Sequence, residues 1–437
     1  MHIIQQLLFI LVLGVAAYLL YRRIQFIKKG IKLGKPLDRS NDSIARWRSM
    51  ALVAFGQKKM FKKPLPALLH LFVYIGFIII NLEVLEFIID GVAGTHRIFA
   101  PFLGTTYTIL LSFFEFLAVS VFVACAVFLI RRNIVRIPRF HKAEMTSWPT
   151  LDANLILVFE ILLTSAILLM NASDQVLQVK GAEHYTATGS LFFSSYLTPL
   201  FQNFEISSLV VFERFFWWFH ILGILGFAVY VTYSKHLHIF MAFPNTYFAN
   251  LNPMGQITNM DSVTNEVKLM LGLPAEGDAS APPAEVGRFG AKDVNDLTWK
   301  SLMDAFTCTE CGRCTAECPA NQTGKKLSPR AIMMATRDRI EDVVKGEKGL
   351  EDGKSLLGDY IVKEEINACT SCNACVEACP VLIDPLSIIL ELRRYVSMEE
   401  SGSPAAWNAM FQNIETNFAP WKFAPTDRFN WSEDLKS

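Results

Sequence analysis

Apolar residues in this chain gather into five long runs, at roughly 2–21, 66–90, 104–130, 151–171 and 208–234, all before residue 245. A helix crosses the hydrocarbon of a bilayer in about 20 residues, and each run meets that length. Lipid offers the backbone no hydrogen-bond partner, so runs of this kind predict spanning α-helices. After residue 245 the pattern breaks. Residues 245–273 are polar with scattered apolar positions, and 274–290 are rich in Pro, Ala and Gly, which predicts a flexible linker. Trp299, Leu302, Met303 and Phe306 then recur at helical spacing. Ser328-Pro329 opens a helix over 328–345, and residues 355–367 and 385–397 read as helices too. The predicted fold class is all-α: a five-helix transmembrane bundle (1–243), a linker (244–295), an α-helical domain (296–400) and an aromatic C-terminal tail (401–437). Trp407, Phe411, Phe418, Trp421, Phe423, Phe429 and Trp431 mark the tail, which either wraps the domain or meets another subunit.

Charge orients the spans. Arg22 and Arg23 follow the first run rather than precede it, which predicts an uncleaved anchor with its N-terminus outside. Residues 22–63 carry Lys28, Lys29, Lys58, Lys59, Lys62 and Lys63, and 131–142 carry Arg131, Arg132, Arg136, Arg139 and Lys142. The loops at 91–103 and 172–207 hold one basic residue each, Arg97 and Lys180. Basic loops stay on the cytoplasmic side, so the region after the fifth span is expected there. In the long outer loop, Leu191–Phe204 either lies on the membrane surface or packs on the bundle. The 437 residues are 52% hydrophobic and 19% charged with zero formal net charge, which suits a part-membrane chain and gives no nucleic-acid footprint.

Eight of the nine cysteines form one pattern used twice: Cys308-x-x-Cys311-x-x-Cys314-x-x-x-Cys318-Pro319 and Cys369-x-x-Cys372-x-x-Cys375-x-x-x-Cys379-Pro380. This is the bacterial-type spacing for two [4Fe–4S] clusters, in which the fourth cysteine of each motif ligates the other cluster. The expected ligand sets are Cys308, Cys311, Cys314 and Cys379 for one cluster, and Cys369, Cys372, Cys375 and Cys318 for the other. Zinc sites favour paired Cys-x-x-Cys without the closing proline, and disulfides suit secreted chains. Cys125 stands alone in an apolar run and reads as core.

Histidines add a second cofactor. His70 falls near the cytoplasmic start of the second span, His220 inside the fifth, and His236 and His238 at its cytoplasmic end. Imidazoles in a bundle that precedes iron–sulfur motifs suggest bis-histidine haem b. Equal depth pairs His70 with His238, with His236 as the alternative. His220 lies about 27 Å higher at 1.5 Å per residue, where a second haem is possible, but the position opposite is near Ile80. Glu83, Glu86, Glu115 and Glu160 are acids within spans, where charge is costly. Glu115 and Glu160 are candidates for moving quinone protons; the alternative is a protonated acid bonded to a neighbouring helix.

The five spans, with His70, Phe219-His220-Ile221 and Ser234-Lys235-His236-Leu237-His238-Ile239, resemble the cytochrome b subunit of respiratory nitrate reductase (gamma-subunit-like). The cysteine region, with Cys308-Thr-Glu-Cys311-Gly-Arg-Cys314-Thr-Ala-Glu-Cys318-Pro319 and Leu327-Ser328-Pro329, resembles the two-cluster domain of heterodisulfide-reductase-like Fe–S oxidoreductases. The nitrate-reductase type has two histidines on each haem helix; here the second span has only His70, which supports one haem. The resemblance implies a quinone-linked electron-transfer subunit in a bacterial or archaeal cytoplasmic membrane. Substrate chemistry would then lie on a cytoplasmic partner subunit with a Cys-Cys-Gly-type domain, a motif absent from this chain. The competing expectations are a non-haem membrane anchor with structural or redox-sensing clusters, a disulfide-reducing enzyme in its own right, and an ion-pumping subunit.

Overall fold

The computed structural model describes residues 3–274, 288–422, 424–433 and 435. Most of the predicted linker at 274–290, and Phe423 of the tail, lie outside the described residues. Among those described there is no strand, only isolated bridges pairing Lys35 with Thr298 and Leu357 with Ile361.

Five helices are long and apolar enough to cross a membrane: α1 (Ile3–Ile31), α2 (Pro64–Ala93), α3 (Thr105–Asn133), α4 (Trp148–Val179) and α5 (Ile206–Val231). They coincide with the five apolar runs, and two of them, α2 and α4, are longer at both ends. The order of packing follows the chain: α2 on α3, α3 on α4, α4 on α5, with α1 leaning on α2 and α5. Phe9, Phe87, Ile167, Met170, Trp217 and Ile221 interlock at the centre. Outward-facing Leu, Ile and Phe remain exposed along every span, as expected for surfaces that meet lipid.

The fifth span stops earlier than its apolar run. It ends at Val231, and Ser234 accepts a hydrogen bond at 3.0 Å from the His236 backbone. A tight turn over Lys235–Leu237 follows, and α6 (His238–Tyr247) starts at the second histidine. His236 therefore sits on a turn beneath the bundle and His238 opens the next helix, neither on the last turn of the span.

The cysteine region packs as helices α7 (Trp299–Thr307), α8 (Pro329–Lys345) and α9 (Pro385–Met398) around the two motifs. Ser328 caps α8 and Asp384 caps α9, each with a proline at the first turn. The predicted helix at 355–367 is interrupted. Gly358 takes φ 109° and Leu357 is extended, so only Lys363–Asn367 is regular α-helix there. A further helix, α10 (Ala405–Asn417), buries none of its residues. Of the tail aromatics, Trp407, Phe411, Phe418, Trp421, Phe429 and Trp431 are all exposed.

The two halves share a core. The last turns of α1 run past the membrane segment and place Ile27 in the same apolar cluster as Leu302, Phe306 and Ile340. Gly30 and Gly34 permit this approach. A Cβ on Gly34 would come within 2.5 Å of the Trp299 backbone nitrogen, where Lys35 and Thr298 form their bridge. Arg23, buried on α1, reaches across to Glu341 of α8 at 2.8 Å and donates to the Thr232 carbonyl at 3.0 Å. Arg330, wholly buried on α8, donates to Glu144 at 2.7 Å and to the Arg139 carbonyl at 2.8 Å.

Candidate functional site: a cysteine pair of loops beneath a histidine cavity

The two cysteine loops repeat the same backbone. In the first, Glu310 and Gly312 have φ 54° and 70°; in the second, Ser371 and Asn373 have φ 54° and 61°. These are the second and fourth residues after the leading cysteine of each motif. Left-handed turns at those points curl the chain around the space between the sulfurs and aim backbone N–H groups inward. In the second loop Ser371 N–H donates to Cys369 Sγ at 3.4 Å, and after the closing proline Ile383 N–H donates to Cys379 Sγ at 3.3 Å. Short helices, Arg313–Ala316 and Ala374–Ala378, then carry each chain to its fourth cysteine.

The fold brings the motifs together crosswise. Cys308, Cys311 and Cys314 line one cavity with Cys379 of the other motif. Cys318 and Cys372 lie close enough to Cys369 to raise its pKa, Cys369 and Cys318 do the same to Cys375, and Cys375 to Cys314, so the two groups are neighbours. Burial pushes the Cys308, Cys375 and Cys379 thiols up to about 12. Buried sulfurs of this kind stay protonated unless a cationic metal core holds them as thiolates. No three His, Cys, Asp or Glu side chains among the described residues close to the distances of a single metal ion; the sulfurs surround a space instead. Donor number, donor type and arrangement fit two cubane clusters.

Directly above the first loop lies a larger cavity between the membrane helices and the cysteine region. His70, Tyr74, His236, His238, Arg131, Arg132 and Arg139 line it, and so do Glu310, Cys311 and Arg313. The rings of His70 and His238 face each other with centroids 6.4 Å apart and planes at 38°. Two imidazoles on opposite sides of one iron, each bonded at about 2 Å, have centroids roughly 6 Å apart. In each ring the inner nitrogen is already engaged: His70 Nδ1 lies 3.1 Å from Gln57 Oε1, and His238 Nδ1 3.1 Å from the Lys235 carbonyl oxygen. That second contact fixes the tautomer and leaves Nε2 for a metal. Burial also lowers the basicity of His238, which favours the neutral ligand form. His236 shares the cavity at 5.2 Å from His238, in edge-on contact. Gln57 and the Lys235 carbonyl were not foreseeable from spacing, because both come from irregular turns.

The remaining expected residues are spread through the bundle. His220 is buried, with Nδ1 2.9 Å from the Leu163 carbonyl and Nε2 without a partner. It meets Phe87 at 5.5 Å and, among the described residues, no second histidine. Glu115 is 2% exposed and fully engaged: it accepts from Asn171 at 3.2 Å, from Phe193 N–H at 2.8 Å, from Ser194 N–H at 3.1 Å and from the Ser194 hydroxyl. The loop between α4 and α5 is thereby pinned to the bundle at Ser194, while Phe192, Tyr196 and Leu200 are exposed. Glu86 accepts from Tyr107 at 2.6 Å and from Phe99 N–H at 3.1 Å. Glu83 lines a small polar cavity with Glu86, Asp90, Arg97, Glu213 and Arg214. Glu160 is partly covered on α4, close to Cys125.

Comparison with known proteins agrees with the cysteine geometry. Residues 307–383 match the model of the 4Fe-4S dicluster domain. The chain is 27% identical to a probable iron-sulfur-binding oxidoreductase FadF of Bacillus subtilis, over 98% of this chain and 61% of the relative. It is 26% identical to an EtfAB:quinone oxidoreductase of Syntrophomonas wolfei, over 90% of this chain and 55% of the relative. A probable membrane-anchored ferredoxin of Chromohalobacter salexigens is 30% identical over 36% of this chain and 25% of its own length. The chain thus spans about three-fifths or less of the length of these relatives. No solved structure matches it. The chain is similar to iron–sulfur oxidoreductases, and its cysteine region matches their 4Fe-4S dicluster domain.

Proposed function

We propose that this chain is the membrane-bound electron-transfer part of a quinone-linked oxidoreductase. It would exchange electrons with the quinone pool through one haem b and two [4Fe–4S] clusters, and pass them to or from a cytoplasmic partner. The observation that carries the reading is the cavity in which the facing rings of His70 and His238 meet the Cys311 loop. The membrane half would be related to nitrate reductase gamma-type cytochrome b, and the relative described as an EtfAB:quinone oxidoreductase supports the quinone end.

When bound, haem and clusters supply one-electron steps, which lets a two-electron quinone reaction proceed in halves. This chain's residues do the holding. His70 and His238 would bind iron through Nε2, with Gln57 and the Lys235 carbonyl fixing the rings. Arg131, Arg132, Arg139 and Arg313 place positive charge around the same cavity, suited to carboxylate groups of a porphyrin. Cys308, Cys311, Cys314 and Cys379 would hold one cluster, and Cys369, Cys372, Cys375 and Cys318 the other. Tyr74, on the cavity wall, and Glu160, on α4, are the groups we assign to quinone protons. Glu115, with its acceptors filled by the outer loop, serves better as an anchor. His220 lacks a facing ligand, so one haem is the content we assign.

The N-terminus would lie outside and the cysteine region in the cytoplasm of a bacterial or archaeal cell, with a Cys-Cys-Gly-type subunit as partner. Anaerobic addition of a quinol to the purified protein tests the function. Appearance of reduced b-type absorbance together with reduced-cluster EPR signals is expected. Clusters that form without any haem band, and stay oxidised with quinol, would instead support a ferredoxin domain on a non-haem anchor.

A further inference from the structure

We propose that Lys235 and Glu310 form a junction between the histidine turn and the nearer cysteine loop, fixing their spacing and the charge beside one cluster only. The inference rests on the reading above and deepens it by ordering the two clusters along the chain's electron path.

Lys235 faces both ways. Its backbone carbonyl holds the His238 ring at 3.1 Å. Its ammonium group, 9% exposed, pairs with Glu310 and donates to the Pro149 carbonyl at 2.6 Å, with Asp152 at 3.9 Å. Glu310 stands between Cys308 and Cys311 in the left-handed turn of the first loop, and its side chain is 3% exposed. Its other oxygen pairs with Arg337 at 2.8 Å. The route from His238 to Cys311 therefore runs through one residue's backbone and side chain, one buried ion pair and one peptide bond.

This arrangement belongs to one loop. Glu310 and Cys311 line the histidine cavity, whereas Cys318, Cys369, Cys372 and Cys375 do not. The position that answers to Glu310 in the second loop is Ser371, which takes the same backbone turn without a charge. The Cys308/Cys311/Cys314/Cys379 site is therefore the membrane-proximal one. The other site is distal, and its Cys372 is exposed, on the side where a partner would exchange electrons.

Charge beside a cluster shifts its potential, and a buried pair that loses one member leaves the other uncompensated. Removing the Glu310 charge should therefore favour the reduced near cluster. Removing the Lys235 charge should favour the oxidised one. A tie that merely rivets the two halves together has no reason to act with opposite signs. Arg23–Glu341 is such a rivet, bridging α1 and α8.

The experiment is an EPR redox titration of the full-length protein in detergent, with the optical haem spectrum recorded on the same samples. Glu310→Gln is expected to move one cluster's reduction equilibrium about tenfold toward the reduced form, or about 59 mV for one electron. Lys235→Met is expected to move the same cluster the other way, and Lys235→Arg to restore it. The second cluster should stay within error in all three variants, and Glu341→Gln should move neither. Should Lys235→Met fail to assemble, Glu310→Gln, which keeps the shape and one acceptor oxygen, carries the test alone. With haem bands present, an unmoved near cluster or an equal shift of both clusters overturns the junction and leaves the function standing. Absence of haem bands from the wild-type protein overturns both.

Discussion

An imidazole that binds metal through one nitrogen needs the other held by a hydrogen bond. His70, His238 and His220 all meet that condition, through Gln57, the Lys235 carbonyl and the Leu163 carbonyl. What separates them is what Nε2 faces: a shared cavity for the first two, and packed side chains for the third. His70→Ala and His238→Ala are each expected to abolish the b-type absorbance of purified protein while both cluster EPR signals persist. His220→Leu should leave haem content unchanged. The crosswise cysteines make a second residue-scale prediction. Cys379→Ser should weaken the same cluster signal as Cys308→Ser, and Cys318→Ser the one weakened by Cys369→Ser. Pairing by motif instead would show as Cys379→Ser and Cys369→Ser matching. The cysteine pattern was legible in sequence because cluster geometry dictates tight loops. Which histidine of the 236/238 pair turns toward His70 was not, because it depends on the turn that Ser234 starts after the span ends.

At the scale of elements, lipid made the five spans legible: an apolar run of that length has only the helix open to it. Their ends were less so. The first apolar run ends near residue 21, yet α1 continues to Ile31, because its last turns leave lipid for a protein core containing Leu302, Phe306 and Ile340. Sequence periodicity does not distinguish burial in lipid from burial in protein. The same ambiguity hid the break at Gly358, where a left-handed glycine interrupts an otherwise helical pattern. Gly34 offers the test of this contact. A methyl there would strike the Trp299 backbone, which has no rotamer to yield. Gly34→Ala is expected to cost about 1–3 kcal/mol, read as a lower melting temperature in detergent, whereas Gly14→Ala, with open space around it, should be tolerated.

For the whole molecule, the proposed electron path depends on the membrane bundle and the cysteine region being held as one body. Glu341 contributes to that union. Burial works to raise its pKa, but hydrogen bonds from Lys345 and Arg23 outweigh it and hold the carboxyl below the ordinary value. A depressed folded pKa stabilises above the unfolded value, about 4.3 for glutamate, and the benefit is lost as pH falls through the folded one. Melting of the wild type should therefore drop more steeply below about pH 4.3 than melting of Glu341→Gln, and parallel curves would remove Glu341 from that role. None of these cross-contacts was visible in the sequence, since Arg23, Glu310, Arg330 and Glu341 look like ordinary surface charges until the two halves meet.

In the proposed function, imidazoles at the membrane boundary and thiolates beneath them hold adjacent redox centres in one chain. The most direct measurement is total iron with haem quantified separately in the purified full-length protein. About eight cluster irons and one haem b per chain are expected. Eight irons with no haem, or haem that survives loss of both His70 and His238, would contradict it.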